Sequence, residues 1–210
     1  MRRLLQGDVG SGKTIVALRA MLQVVDGGGQ AVLLVPTEVL AWQHYETIVD
    51  LMGPLAQGGQ LGEADHATRV EILTGSLGAT ARRRALARVA SGEAGIVVGT
   101  HALLSDDVQI PFLGLAVVDE QHRFGVDQRT ALSAGVHELV MTATPIPRTI
   151  AMSVFGDLDV STLRELPAGR AAVSTTVVPA AEKVWVDRGW QRAKEEGRGG
   201  GRVVVVGRGM

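Results

Sequence analysis

The stretch that most constrains this chain is Gly7-x-x-x-x-Gly12-Lys13-Thr14, the pattern of a phosphate-binding loop. Its neighbours suit it: Leu4-Leu5 reads as the end of a buried strand, and Ile15 to Leu22 is apolar at helical spacing. Glycines at 7, 10 and 12 let the backbone turn so that successive N–H groups face one anion. A helix opening at Gly12 or Lys13 adds the positive end of its dipole to the same place. Lys13 then brings a point charge to the β- and γ-phosphates, and the Thr14 hydroxyl can ligate Mg²⁺. The whole loop, Gly7, Asp8, Val9, Gly10, Ser11, Gly12, Lys13 and Thr14, is therefore expected to bind a nucleoside triphosphate.

Composition narrows the rest. Hydrophobic residues are 46% of the 210 and aromatics 3%, so the core must be built of Val, Leu, Ile and Ala. Such a core suits parallel strands covered by helices. The absence of cysteine excludes disulfides, thiolate metal sites and cysteine nucleophiles, and fits a reducing cytosol. A formal charge of −1 excludes nucleic-acid binding by bulk positive charge, so any such binding must come from a local surface. Met1-Arg2-Arg3 is not followed by a signal-peptide core, and no apolar run reaches membrane-spanning length. A soluble, cytoplasmic protein with no membrane partner is expected.

Strands and helices alternate along the chain. A helix over about 13–25 ends at Asp26-Gly27-Gly28-Gly29, and residues 31–35 form a short buried strand. Helical spacing runs from Val39 to Leu51, and Gly53 to Asp65 reads as an irregular surface loop. Arg69 to Leu73 alternates as a strand, and Ala79 to Ala90 is a helix carrying Arg82, Arg83, Arg84 and Arg88. A solvated helix face accounts for those arginines more simply than a DNA-facing patch. Further strands are expected at 96–98, 115–118 and 139–141, and a helix from Pro147 to Phe155. After a linker at 166–170 come a strand over 173–178, a helix over 181–197 and a strand over 203–206. Polar residues recur at the carboxyl ends of the apolar runs, where open α/β sheets bind ligands.

A phosphate-binding loop needs a carboxylate at the end of a nearby strand. Val117-Val118-Asp119-Glu120 supplies it, with Asp119 as the metal partner and Glu120 placed to orient and deprotonate the attacking water. The Thr14 hydroxyl and the Asp119 carboxylate should meet at one Mg²⁺ position on the carboxyl edge of a single sheet. His122 has no second His or Cys at ligand spacing, which argues against a role as a metal ligand.

Asp119-Glu120-Gln121-His122 resembles the DExH box of superfamily 2 helicases. Gly7 to Thr14 reads GDVGSGKT, Pro36 to His44 PTEVLAWQH, Gly99 to Leu103 GTHAL, Asp119 to Val126 DEQHRFGV and Thr142 to Thr149 TATPIPRT. In this order they resemble motifs I, Ia, Ib, II and III of RecG-type branch-migration DNA helicases. Phe155 to Thr162 and Glu165-Leu166-Pro167 are similar to that family's segment after motif III. Transcription-repair coupling translocases share motifs I and III, but more typically carry a different motif II.

The resemblance implies a RecA-like domain at 1–168, a mostly parallel sheet with helices on both faces, and the incomplete start of a second RecA-like domain at 169–210. It implies ATP and Mg²⁺ as cofactors, a monomeric motor, and forked or branched duplex DNA as partner. Lys13, Asp119, Glu120 and His122 would form the catalytic set. Pro36, Thr37, Glu38, Thr74, Gly75, Gly99, Thr100 and His101 would contact the DNA backbone, where hydroxyls, glycine amides and helix N-termini suit phosphates. Thr142, Thr144 and Arg148 would couple the nucleotide to the DNA. Read without the resemblance, these segments also fit ordinary strand-to-helix turns and caps.

The family's wedge domain and adenine-contacting motif lie upstream of the matched region, and its arginine finger lies downstream. Residues 1–210 alone are therefore expected to bind Mg-ATP weakly, without appreciable turnover. Two other classes remain open at this point. One is a nucleotide-dependent DNA-binding module without turnover; the other is a P-loop enzyme of small-molecule metabolism.

Overall fold

A computed structural model describes residues 1–56, 58, 67–119, 135–143, 159–164 and 182–198. Glu120, Gln121, His122, Thr144 and Arg148 lie outside the described residues, as do the expected helix at 147–155, the linker at 166–170 and the expected strands at 173–178 and 203–206. The chain divides into two compact units, 1–168 and 169–210.

The first unit is built on a seven-stranded sheet. Its strands are β1 (Arg2–Gly7), β2 (Gln30–Leu34), β3 (Arg69–Leu73), β4 (Ala94–Gly99), β5 (Leu113–Asp119), β6 (His137–Thr142) and β7 (Asp159–Leu163). They lie in the order β3-β4-β2-β5-β6-β1-β7, and every pairing is parallel. All carboxyl ends therefore lie along one edge.

Helices α1 (Lys13–Asp26), α2 (Glu38–Met52) and α3 (Ala79–Ala90) connect these strands. The sheet is covered on both faces, and strand periodicity explains how. Successive side chains point to opposite sides of a strand. Ala31, Leu33, Val98 and Val117 accordingly join Leu18, Met21, Ala41 and Ile48 of α1 and α2 in one core. Val32, Leu34, Val97 and Val118 join Ala85 and Val89 of α3 in the other. With both faces buried, the central strands read as continuous apolar runs, which is why β2, β4, β5 and β6 were visible in the sequence.

β7 was not expected as a strand. Among the described residues it pairs on one side, with β1, and Asp-Val-Ser-Thr-Leu buries little. An edge strand of that kind carries no apolar run to betray it. What holds it is partly polar: Arg3 Nη1 donates to Ser161 Oγ at 2.8 Å, and Arg3 pairs with Asp159.

At the amino edge, Gln30 opens β2 as a buried polar residue. Its side-chain amide donates to the Val89 carbonyl at 2.9 Å and the Ala94 carbonyl at 2.8 Å, and its carbonyl accepts from the Phe112 N–H at 3.2 Å. One side chain thereby ties the end of α3 and the starts of β4 and β5 to β2.

In the second unit the described element is helix α4 (Lys183–Arg198). The Arg188 guanidinium lies over the Trp185 ring, 5.5 Å from its centroid. Among the described residues no helix is long and apolar enough to cross a membrane.

Candidate nucleotide and nucleic-acid site

The carboxyl edge of the sheet separates into two contiguous halves. β5, β6 and β1 end in Asp119, Thr142 and the loop from Gly7. β3, β4 and β2 end in Thr74-Gly75, Thr100-His101 and Pro36-Thr37. The segments expected to handle nucleotide thus fall together on one half, and those expected to handle nucleic acid on the other.

The loop after β1 is shaped by its glycines. The Ser11 N–H closes a turn on the Asp8 carbonyl at 3.1 Å, with Gly10 at φ 81° in its third position. Gly12 is left-handed at φ 88° and caps α1, its carbonyl accepting from the Ile15 and Val16 N–H groups. Residues with a Cβ rarely adopt such angles. Ahead of Ile15, the N–H groups of Lys13 and Thr14 stand at the opening of α1, where backbone donors suit an anion. The Lys13 ammonium reaches across the loop and donates to the Gly7 and Asp8 carbonyls at 2.7 and 2.8 Å.

Strand register places the acidic partner. Asp119 is paired with Met141 of β6, and Met141 with Leu5 of β1. Asp119 is thus level with Leu5, two strands away, a span of about 10 Å at ordinary strand spacing. Thr142 is level with Gln6 and is buried. Asp119 has a partner that the sequence did not suggest: its Oδ2 lies 3.0 Å from Nε2 of His44 on α2. The available signal was a histidine interrupting the inward stripe of Ala41, Ile48 and Met52.

Among the described residues no cluster of three His, Cys, Asp or Glu side chains forms a metal cage. One hydroxyl and one carboxylate beside a phosphate loop nonetheless fit Mg²⁺, which takes most of its ligands from water and substrate phosphates.

On the other half, Thr37 caps α2, its hydroxyl accepting from the Leu40 N–H at 3.3 Å. Glu38 Oε1 accepts from the Ser76 N–H at 2.9 Å. Hydrogen bonds from the Ser76 hydroxyl and from the Ser76 and Gly75 amides hold the Glu38 carboxyl below its ordinary value, as does the nearby His101. Glu38 is thus engaged in holding the Gly75-Ser76 turn, and its negative charge does not suit a phosphate.

Three other residues of the expected nucleic-acid set are not at the surface. Thr74, Gly99 and Thr100 are buried, because they sit at or directly after the last paired residues of β3 and β4, Leu73 and Gly99. The Thr100 N–H donates to the Leu73 carbonyl at 3.3 Å, and the Gly99 carbonyl accepts from the Val35 N–H at 2.9 Å. Thr37, Gly75 and His101 are exposed, and Pro36 and Glu38 are half-buried. The arginines of α3 are partly neutralised: Arg82 meets both carboxylate oxygens of Asp107 at 2.9 Å, and Arg88 meets Glu71 at 2.6 Å.

Comparison with known proteins agrees with this architecture. Residues 2–153 match the DEAD/DEAH box helicase family, and the chain belongs to it. It is similar to the ATP-dependent DNA helicase RecG of Mycobacterium bovis, with 58% identity over 98% of this chain and 29% of that protein. RecG of Mycobacterium leprae is 55% identical over the same shares. A solved structure of RecG bound to a three-way DNA junction superposes with a TM-score of 0.67 at 38% identity, covering 94% of this chain and 25% of that one. The chain therefore spans under a third of the length of the curated relatives it matches.

Proposed function

We propose that this chain is the nucleotide-binding motor region of an ATP-dependent DNA translocase that remodels branched DNA. The observation that carries the reading is the division of one sheet edge into a phosphate-loop half and an adjacent half of exposed turns. The similarity to RecG proteins, including one bound to a three-way junction, supplies the class of DNA.

In this reading the amides of the loop from Gly7 to Gly12 and the Lys13 ammonium bind the phosphates, Lys13 exchanging the Gly7 and Asp8 carbonyls for phosphate oxygens. Thr14 and Asp119 would hold Mg²⁺, which supplies charge neutralisation at the β- and γ-phosphates. Glu120 would orient and deprotonate the attacking water, and His122 would belong to the same catalytic set. Thr142, Thr144 and Arg148 pass the state of the nucleotide toward the DNA half. There, the Thr37 hydroxyl, the Gly75 turn and His101 contact backbone phosphates without reading sequence.

Residues 169–210 belong to a second motor domain. Its support is that identity to the RecG relatives runs through both compact units. Closure of two such domains on ATP and reopening after hydrolysis would advance the protein along duplex DNA. The work would fall in the cytoplasm, where bacteria such as the source of the RecG relative keep their DNA.

ATP hydrolysis by the intact protein, with and without forked DNA, tests the proposal. Forked DNA should stimulate turnover, and Lys13→Ala should lower it about a hundredfold or more. A rate indifferent to DNA, or to Lys13→Ala, would overturn the reading.

A further inference from the structure

We propose that His44 is a positioning residue: it fixes the Asp119 carboxylate in the orientation that serves the metal–nucleotide complex, and so ties helix α2 to the nucleotide half of the sheet edge. This rests on Asp119 being the metal-holding carboxylate.

The contact is short and sheltered. His44 Nε2 and Asp119 Oδ2 are 3.0 Å apart, with side-chain exposures of 13% and 14%. An ionised carboxylate can only accept, so the shared hydrogen sits on Nε2, and the contact fixes the ring's tautomer as well as its plane. An aspartate at a strand end otherwise turns freely about its last torsion, whose wells are broad. The histidine N–H occupies Oδ2 and leaves Oδ1 for coordination, directly or through water. Among the described residues His44 is the hydrogen-bonding side chain that Asp119 has.

A packing role alone does not explain a histidine here. The buried residues of α2 are Ala41, Ile48 and Met52, with Leu40, Tyr45 and Val49 packed beside them, and a leucine or methionine would fill position 44 without needing a partner. Placement on α2 also gives the contact reach. His44 lies seven residues after the Thr37 cap, about 10 Å along the helix axis. The first turn of the same helix carries Glu38, which holds the Gly75-Ser76 turn. One rigid element therefore bears on both halves of the edge. Groups that orient a metal-binding side chain typically matter ten- to a hundredfold in metal affinity.

The test uses a fluorescent ATP analogue bound by the intact protein, titrated with Mg²⁺ at one fixed pH. His44→Met and His44→Gln form the decisive pair, since they share a shape and differ in the amide donor. His44→Met should raise the Mg²⁺ concentration at half-maximal binding about ten- to a hundredfold. His44→Gln should return it to within a few-fold of the parent. Nucleotide binding without Mg²⁺ should be the same in all three, and any loss of melting temperature should be shared by the two variants. Asp119→Asn serves as the control. If it shifts the Mg²⁺ requirement while His44→Met stays within twofold of the parent, the inference about His44 fails and the site assignment stands. If Asp119→Asn itself has no effect, the assignment of Asp119 fails and the inference with it. If Gln is as impaired as Met, the hydrogen bond is not the cause and the proposal is overturned.

Discussion

Replacing Gln30 tests how the amino edge of the sheet is held. Gln30→Met keeps the shape of a buried side chain and removes three hydrogen bonds, those to Val89, Ala94 and Phe112. At about 0.5–1.5 kcal/mol net for each, the loss is about 2–4 kcal/mol. For a domain of this size that lowers the melting temperature by about 5–15 °C. Gln30→Glu should cost more at neutral pH. It turns a donor into an acceptor facing two carbonyls and leaves a buried charge without a partner, a penalty of about 3–5 kcal/mol. The introduced carboxyl would have its pKa raised by folding. Its stability is intact below the unfolded value of about 4.3 and is lost as pH rises through the folded value. Gln30→Glu should therefore approach Gln30→Met in acid and fall below it at neutrality.

Equilibrium urea unfolding followed by circular dichroism, across a pH series, measures both effects; midpoints should move with the slope unchanged. Gln30 lies at the opposite end of β2 from the candidate site, about 16 Å away over five strand residues. Nucleotide affinity well below the transition should thus match the parent. A parent-like midpoint for Gln30→Met, or a Gln30→Glu penalty that ignores pH, would refute the clamp.

Two further outcomes follow from the other edge. Gly99→Ala should destabilise the domain by about 1–3 kcal/mol, read by the same unfolding assay. An added Cβ would clash with the Leu73 carbonyl and lie 2.8 Å from Leu103 Cγ, so β3 and β4 would have to part. For Glu38→Gln, the acid limb of the stability profile should flatten. The lowered pKa of Glu38 means that its contribution is present above the ordinary carboxyl range and lost as pH falls through the folded value. Melting temperatures measured from neutrality into the acid range check this, and an acid limb identical to the parent's would count against the Ser76 contact.

The sequence alone determined the elements that obey a local rule. Gly10, Gly12, Lys13 and Thr14 carry their chemistry in backbone permissiveness and spacing, and the structure gives Gly10 and Gly12 the positive φ they allow. The apolar runs of β2, β4, β5 and β6 announced strands buried on both faces, because both faces of a covered parallel sheet exclude water. Parallel strands covered by helices were expected from composition and that alternation, and helices on both faces from the helicase resemblance.

Other features depend on what lies across the sheet, and periodicity does not encode a partner. β7 emerges only from its pairing with β1 and the polar contacts of Arg3. The strand order is also a tertiary fact; it gathers Gly7, Asp119 and Thr142 on one half of an edge and Thr37, Gly75 and His101 on the other. The same packing withdraws Thr74, Gly99 and Thr100 from the surface, although their residue types suit phosphate contacts. His44 shows the limit most plainly. In the sequence it is one polar residue in a helical stripe, and folding alone sets it 3.0 Å from Asp119, 75 residues away along the chain.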